Sequence, residues 1–192
     1  CKPCSITTGF AGAGAFSDGK LSLSPDVGGN LPEILGYDKT LELIRESDNI
    51  YLQFGADRNV YGVDRQKELE EIRRKAIQAN LKLIECPIRH LGTEEGYKIY
   101  TRLQEHLLKK GVRIEFNTMV KDIPIENNQV TGVLTDKGDI FYAPEIVAAI
   151  GREGSDWFSH ICDEHGIETQ VGTVDIGVRV EVRDEVMKFL NE

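Results

Sequence analysis

Cysteines are few in this chain of 192 residues, and basic residues are outnumbered by acidic ones. Its four cysteines form no obvious disulfide framework, which is typical of free thiols in a reducing compartment and predicts a cytoplasmic protein. Lys and Arg total 23 against 32 Asp and Glu, so the net charge is -9. Most of such a surface repels phosphate backbones and anionic lipids, and we therefore expect no nucleic-acid partner.

Long hydrophobic runs are missing as well. The longest stretches, such as residues 146–150, fall far short of the roughly 20 residues that a membrane span needs. The N-terminus shows no charged-then-apolar signal pattern, so we expect no membrane partner. The first residue is Cys1 rather than Met, and the expectation is a chain that begins inside a longer protein or after cleavage.

Three common catalytic or nucleotide-binding motifs are absent or incomplete. The sequence contains neither the G-x-G-x-x-G dinucleotide fingerprint nor the G-x-S-x-G nucleophile elbow. Residues 14–20 fit the first seven positions of a P-loop, but Leu21 stands where Ser or Thr would hold magnesium. Ser24-Pro25 and the following glycines also forbid the long helix that a P-loop requires, so an NTPase is a poor interpretation.

What the chain does have is enough apolar sequence for a core, at 40% hydrophobic residues, and a glycine-dense start. Residues 9–30 hold six glycines, which predicts a loop whose main chain can approach a ligand closely. Helices are predicted from Asp38 to Gly55, from near Asp64, and from Thr93 to Gly111. Two more are predicted over 155–165 and from Asp184. The expected apolar face of the third comprises Tyr97, Tyr100, Leu103 and Leu107.

Strand patterns alternate with these helices. Residues 81–89 predict a strand closed by Pro87, and the alternation over 112–116 opens a meander with turns at 126–128 and 136–138. The apolar run 145–151 predicts a strand buried on both faces, and residues 174–182 predict a half-buried one. This order indicates an α/β fold, in which ligands bind beyond the carboxyl ends of strands, where Gly151 lies.

The run GAGAFSDGKL over residues 12–21 resembles a glycine-rich loop of a poorly characterised family of FAD-dependent dehydrogenases, which are NAD/FAD-utilising oxidoreductases. The resemblance continues through VGG at 27–29, residues 112–120, AAIGR at 148–152 and DIGVRVE at 175–181, and so covers essentially the whole chain. It implies a partial two-domain α/β flavoprotein. A Rossmann-like FAD-binding portion with a β-meander is joined to part of an α+β substrate domain.

The resemblance also implies how the chain is divided. Residues 1–30 would be the flavin-loop segment, 31–91 part of the substrate domain, 92–166 part of the FAD-binding domain, and 167–192 the start of a second substrate-domain segment. The family's opening fingerprint and its closing part have no counterpart here, which implies an internal fragment that is inactive by itself.

The function implied is flavin-mediated hydride or electron transfer on an unknown small-molecule substrate, with FAD as cofactor and NAD(P) as a possible electron partner. No residue is nominated as a catalytic acid or base. The glycine-rich loop would wrap part of the flavin, the second strand would pass the adenine, and the small-residue strand end would lie beside the cofactor. The residues carried over are Gly12, Gly14, Ala15, Ser17, Asp18, Gly19, Lys20, Val120, Ala149, Gly151 and Arg152.

Several of these residues have an ordinary structural interpretation too. Lys20 would offset diphosphate or reduced-flavin charge, or simply be a solvated lysine, and Val120 would also serve as sheet core. Arg152 would meet a phosphate or pair with a neighbouring carboxylate. The spacing of Cys1 and Cys4 is that of half a metal site, so the alternative function is a non-catalytic binding module with a cysteine metal site at its N-terminus.

Overall fold

The structure is a computed structural model that describes residues 9–15, 19–151, 153–170, 172 and 176–191. The chain mixes helices and strands and divides into two compact units, Cys1–Asn117 and Thr118–Glu192. The boundary between the units lies inside the predicted segment 92–166. The four predicted domain segments remain predictions.

Unit 1 is mainly helical, with one two-stranded antiparallel ribbon. Lys20 pairs with His90, Leu21 with Arg89 and Ser22 with Ile88 across that ribbon. The elements in chain order are a 3₁₀ helix Gly12–Ala15, β1 Lys20–Ser22, α1 Leu31–Leu35, α2 Tyr37–Gln53, α3 Gln66–Gln78, β2 Ile88–His90 and α4 Thr93–Lys109.

The core of unit 1 is built where α2 and α4 meet the ribbon. Ala56, Leu91 and Ile99 are buried together, and half-buried side chains of α2 and β1 pack against them. Helix α2 stops at Phe54 because Gly55 follows with φ at 102°, a conformation that glycine adopts without a steric penalty. The predicted helices over 38–55, from near 64 and over 93–111 are confirmed.

The apolar face predicted for α4 is partly wrong. Tyr97 is 70% exposed, whereas Ile99 is fully buried. The other three residues of the predicted face are half-buried, in agreement with the prediction: Tyr100, Leu103 and Leu107. The buried residues of the helix are Gly96 and Ile99, and the half-buried Leu103 continues that side four residues later.

Unit 2 contains short antiparallel strands and two helices. The strands Val120–Asp122 (β3), Gly132–Thr135 (β6) and Ile140–Tyr142 (β7) form one sheet in the order β3-β6-β7. The strands Ile125–Glu126 (β4) and Gln129–Val130 (β5) form a separate hairpin. Both predicted turns are confirmed: Asn127 and Asn128 have φ of 50° and 64°, and Gly138 has φ of 86°. The elements are β3 Val120–Asp122, β4 Ile125–Glu126, β5 Gln129–Val130, β6 Gly132–Thr135, β7 Ile140–Tyr142, α5 Ser155–Glu164 and α6 Asp184–Asn191.

Two strands predicted within unit 1 differ from the structure. The strand expected over 81–89 is confined to Ile88–His90, because Pro87 has no N–H to donate and pairing starts after it. Residues 112–116 alternate in sequence but form no strand, and the meander begins at Val120 instead. The alternation alone does not make a strand where no neighbouring strand accepts its backbone hydrogen bonds.

Two predicted strands of unit 2 are also corrected. Residues 145–150 are not a strand, and Val147 is 92% exposed, so this apolar run is not buried on both faces. The described residues of the segment 174–182, which are 176–182, form no strand, and Ile176 is 91% exposed. Neither segment has a hydrogen-bonded partner strand among the described residues, and burial of a strand depends on such neighbours.

Within the part of the chain that the structure describes, no helix combines the length and the apolar character needed to cross a membrane.

Gly132 offers a direct test of the unit 2 sheet. An added Cβ would collide with the carbonyl of Phe141 in the paired strand β7. We expect Gly132→Ala to destabilise the protein by about 1–3 kcal/mol in urea unfolding, since backbone atoms cannot move aside as side chains do. Gly172→Ala, where the added Cβ would meet nothing within 4 Å, is the control and should change little. Equal stabilities of the two variants would contradict the pairing.

Candidate functional site

The glycine-rich segment begins with a 3₁₀ helix that packs on α4. Gly12 has a φ of 53°, and its N–H donates to the carbonyl of Gly9 over 3.1 Å. A Cβ on Gly14 would lie 2.9 Å from the Tyr100 Oη. The glycine at position 14 therefore permits close packing of the main chain against a phenol of α4. Ala15 ends this short helix.

The end of the segment is fixed by the ribbon. Gly19 is buried, has a φ of 59°, and accepts a 2.8 Å hydrogen bond from the Leu91 N–H. A Cβ there would lie 2.9 Å from the Leu91 Cβ, so a larger residue would push β1 away from the core. Lys20 follows as the first residue of β1 and is exposed.

A buried ion pair holds the ribbon to α2. The Arg89 side chain is 4% exposed, and its Nε and Nη2 donate to the two carboxylate oxygens of Asp48 at 2.5 and 2.8 Å. Its Nη1 donates to the carbonyls of Asp57 and Asn59. The hydrogen bond to Asp48 raises the pKa of Arg89, so the guanidinium stays charged inside the unit. This fork is the bidentate geometry that makes arginine–carboxylate pairs strong.

Tyr100, the residue that Gly14 approaches, pairs with Tyr51 of α2. The rings of Tyr51 and Tyr100 meet edge to face with centroids 6.1 Å apart. Burial, with a hydrogen bond to Tyr51 as the second cause, raises the pKa of Tyr100 to about 12. The phenol that contacts Gly14 is thus neutral throughout the physiological range.

Two open grooves lie in unit 1. The smaller, of about 280 Å³, is mostly apolar and includes Lys20, Asp48 and Tyr51 in its lining. The larger, of about 450 Å³, is lined in part by Ser24, Asp26 and Tyr37 and contains none of the candidate cofactor residues. The smaller groove is therefore the one that adjoins the candidate loop, despite its lower volume.

Unit 2 holds the remaining described candidates. Val120 starts β3 opposite Thr135 and is half-buried, so it contributes to the sheet. An irregularity in the pairing follows at Lys121, whose carbonyl accepts a 2.9 Å hydrogen bond from the Trp157 Nε1. This bond fastens α5 to the first strand of the meander. Trp157 is half-buried, as expected for an anchoring residue.

The turn after residues 145–150 leaves open space at Gly151. Ala149 is exposed, and Gly151 has a φ of 60° with nothing within 4 Å of the position that a Cβ would take. Gly154, by contrast, is crowded, since its Cβ would lie 2.6 Å from the Ile150 Cβ. Main chain at Gly151 is therefore accessible to a ligand, whereas the missing side chains of Gly14 and Gly19 face protein.

The structure groups the candidates by unit. Gly12, Gly14, Ala15, Gly19 and Lys20 belong to unit 1, and Val120, Ala149 and Gly151 belong to unit 2. Ser17, Asp18, Arg152, Cys1 and Cys4 lie outside the described residues. Within the described ranges, no group of three or more His, Cys, Asp or Glu side chains is arranged to hold a metal ion.

Sequence reasoning missed the Arg89–Asp48 pair. Arg89 was only the last residue of a predicted strand, and Asp48 falls in the polar stretch of a helix. The available signal was the alternation Ile88-Arg89-His90 after Pro87, which allows the arginine to face inward. The sequence separation of 41 residues gives no further indication of its partner.

A comparison with known protein families gives one match. Residues 67–185, more than half of it, match the family model described as pyridine nucleotide-disulphide oxidoreductase. The match includes the meander together with Val120, Ala149 and Gly151, and it excludes the glycine-rich segment 12–20. No curated protein gives a significant match to the chain.

Removal of the Asp48 carboxylate should lower the stability of the folded protein. In Asp48→Ala the guanidinium of Arg89 stays buried without its carboxylate, and we expect a loss of about 3–5 kcal/mol in the free energy of unfolding. Glu68→Ala, which removes the exposed pair with Arg65, is the matched control and should cost less than about 1 kcal/mol. Similar losses in both variants, measured by urea denaturation, would show that the Arg89 pair is not buried.

Tyr100 should make stability depend on alkaline pH. The folded pKa of about 12 exceeds the ordinary value of 10.0, so this contribution is complete below pH 10 and is lost as the pH rises towards 12. Unfolding measured from pH 9 to 11 should show a falling stability in the wild type. Tyr100→Phe should flatten that fall, and Tyr97→Phe, at an exposed position, should not. An unchanged slope in Tyr100→Phe would refute the assignment.

Proposed function

Because the chain belongs to the pyridine nucleotide-disulphide oxidoreductase family, we propose that it serves in an FAD-dependent dehydrogenase that transfers a hydride or electrons to or from a small-molecule substrate. Members of this family generally bind FAD and NAD(P). We further propose FAD as the bound cofactor and NAD(P) as its electron partner. FAD, when bound, supplies the ring that accepts and donates the hydride or the electrons.

The observation that carries the proposal is the family match over residues 67–185. It contains the three-stranded meander, the helix α5 that Trp157 fastens to it, and the accessible turn at Gly151. Main chain without a side chain is what a flat and bulky cofactor needs for close approach. Val120 and Ala149 are proposed as neighbouring contacts, since both lie in the matched region.

In unit 1 the proposed contributions are positional and electrostatic. Lys20 is exposed at the start of β1, and its ammonium is proposed to offset the negative charge of a diphosphate or of reduced flavin. Gly12, Gly14 and Gly19 are proposed to act through their main chain. This proposal is supported by the close packing of Gly14 against Tyr100 and of Gly19 against Leu91. That packing fixes the path of the main chain at positions 14 and 19.

Charge and cysteine content support proposals about the partners and location of the protein. With a net charge of -9, the protein is proposed to bind neither nucleic acid nor anionic lipid surfaces. A cytoplasmic location is proposed as well, and its support is the lack of an obvious disulfide framework among the four cysteines. The alternative of a metal-binding module rests on Cys1 and Cys4, outside the described residues, and stays a prediction.

Gly151→Val in the product of the full open reading frame tests the cofactor proposal. The wild type should purify with the visible absorption bands of a flavin. The variant should lower flavin affinity at least about tenfold, equivalent to about 1.4 kcal/mol of binding energy, because its side chain fills the space beside the main chain. Lys20→Gln, which leaves the backbone unchanged, should weaken binding less.

Gly138→Val is the matched control. Gly138 also has a positive φ and nothing within 4 Å of its absent Cβ, so it shares the backbone strain but lies in the turn between β6 and β7. It should retain flavin. A folded wild-type protein that is colourless and gains no flavin on incubation would defeat the proposal, as would equal flavin loss in both valine variants.

A further inference from the structure

The larger groove of unit 1 lies beyond the paired end of the ribbon. Leu23, the residue after β1, donates its N–H to the carbonyl of Pro87 over 2.8 Å, which is the last bond between the two sides. Residues 24–26 on one side and 82–85 on the other then line the groove as its two walls. Its volume of about 450 Å³ is within the range of small-molecule sites.

The first wall presents a carboxylate that two hydroxyl groups hold in place. The Asp26 Oδ2 accepts hydrogen bonds of 3.3 Å from the Ser24 Oγ and from the Tyr37 Oη. Ser24 is buried, and its Oγ also accepts from the Asp26 N–H, so this turn is fixed. Within the described ranges, the Asp26 Oδ1 accepts no hydrogen bond and no cationic side chain pairs with this carboxylate. Its charge is therefore available to a ligand.

The second wall presents an ammonium and unpaired main chain. Lys82 is exposed, and its ammonium has no hydrogen-bond or ion-pair partner in the part of the chain that the structure describes. The main-chain N–H groups of residues 82–85 donate no hydrogen bond to any described residue either. Glu85, by contrast, is paired with Arg73, so its charge is compensated. The groove thus offers one uncompensated negative and one uncompensated positive side chain.

We propose that the larger groove binds a free amino acid with an aliphatic side chain. The ammonium of the ligand binds Asp26, and its carboxylate binds Lys82 and the unpaired N–H groups beside it. A ligand with a single charge gains from one of these side chains and is repelled by the other. Leu41 and Leu83 in the lining provide contacts for an aliphatic side chain. The site goes beyond the proposed flavin contacts, and its ligand binds without flavin.

Calorimetry with L-leucine tests this site in the product of the full open reading frame. L-leucine should bind saturably, with one site per chain. Two analogues each lack one of its charges: 3-methylbutylamine has no carboxylate, and 4-methylpentanoate has no ammonium. Each should bind at least about tenfold more weakly, because a charge-assisted hydrogen bond is lost. These comparisons use the wild-type protein alone and do not depend on the folding of any variant.

Two substitutions test the assignment of the two walls. Asp26→Asn and Lys82→Gln should each weaken L-leucine binding at least about tenfold. In Asp26→Asn the ligand's ammonium has lost its partner, so L-leucine and 4-methylpentanoate should then bind about equally well. Asp64→Asn and Lys110→Gln alter exposed residues of unit 1 outside the groove and are the matched controls, which should bind L-leucine like the wild type.

Three outcomes would overturn the amino-acid site. The first is the absence of saturable L-leucine binding to folded wild-type protein. The second is a wild-type affinity for either analogue that equals the affinity for L-leucine, because both charges are then not recognised. The third is equal weakening of L-leucine binding by the groove variants and by their controls.

Discussion

The buried contact between Arg89 and Asp48 is the constraint on which unit 1 depends. A two-stranded ribbon with three residues in each strand has too few backbone hydrogen bonds to be stable by itself. Here one guanidinium joins it to α2 and to the loop at 57–59. The pair fixes which face of the ribbon is buried. It therefore also fixes where Lys20 and His90 stand, and it holds the end of the glycine-rich segment through Gly19 and Leu91.

The glycines of the chain serve two different purposes. At positions 14 and 19 the absent side chain makes room for Tyr100 and Leu91, so these glycines are needed for packing of the protein on itself. At Gly151 the same absence opens onto empty space, and the turn exposes main chain. The number of glycines in a segment does not tell whether they make room for neighbouring side chains or expose the main chain. Glycine is the suitable residue for either purpose. Gly151, where the main chain is exposed, lies within the region that matches the family model.

The sequence predicted helices and turns correctly, because these elements depend on residues that are close together along the chain. The helices over 38–55 and 93–111 and the turns at 127–128 and 138 follow from periodicity, glycine and asparagine, and all are present. The strands at 112–116 and 145–150 were wrong, because a strand depends on a partner that periodicity does not name. The Arg89–Asp48 pair could not be foreseen for the same reason, as it joins residues 41 apart. Glycine density and the expected strand end indicated the candidate loop and Gly151, and the family resemblance added their role as flavin contacts.

The chain belongs to the pyridine nucleotide-disulphide oxidoreductase family, and we propose that it carries FAD. Mass spectrometry of the small molecules released when the purified product of the full open reading frame is denatured tests it most directly. The account predicts FAD at one molecule per chain. Release of no flavin from correctly folded protein, or of a stoichiometric metal in its place, would contradict it.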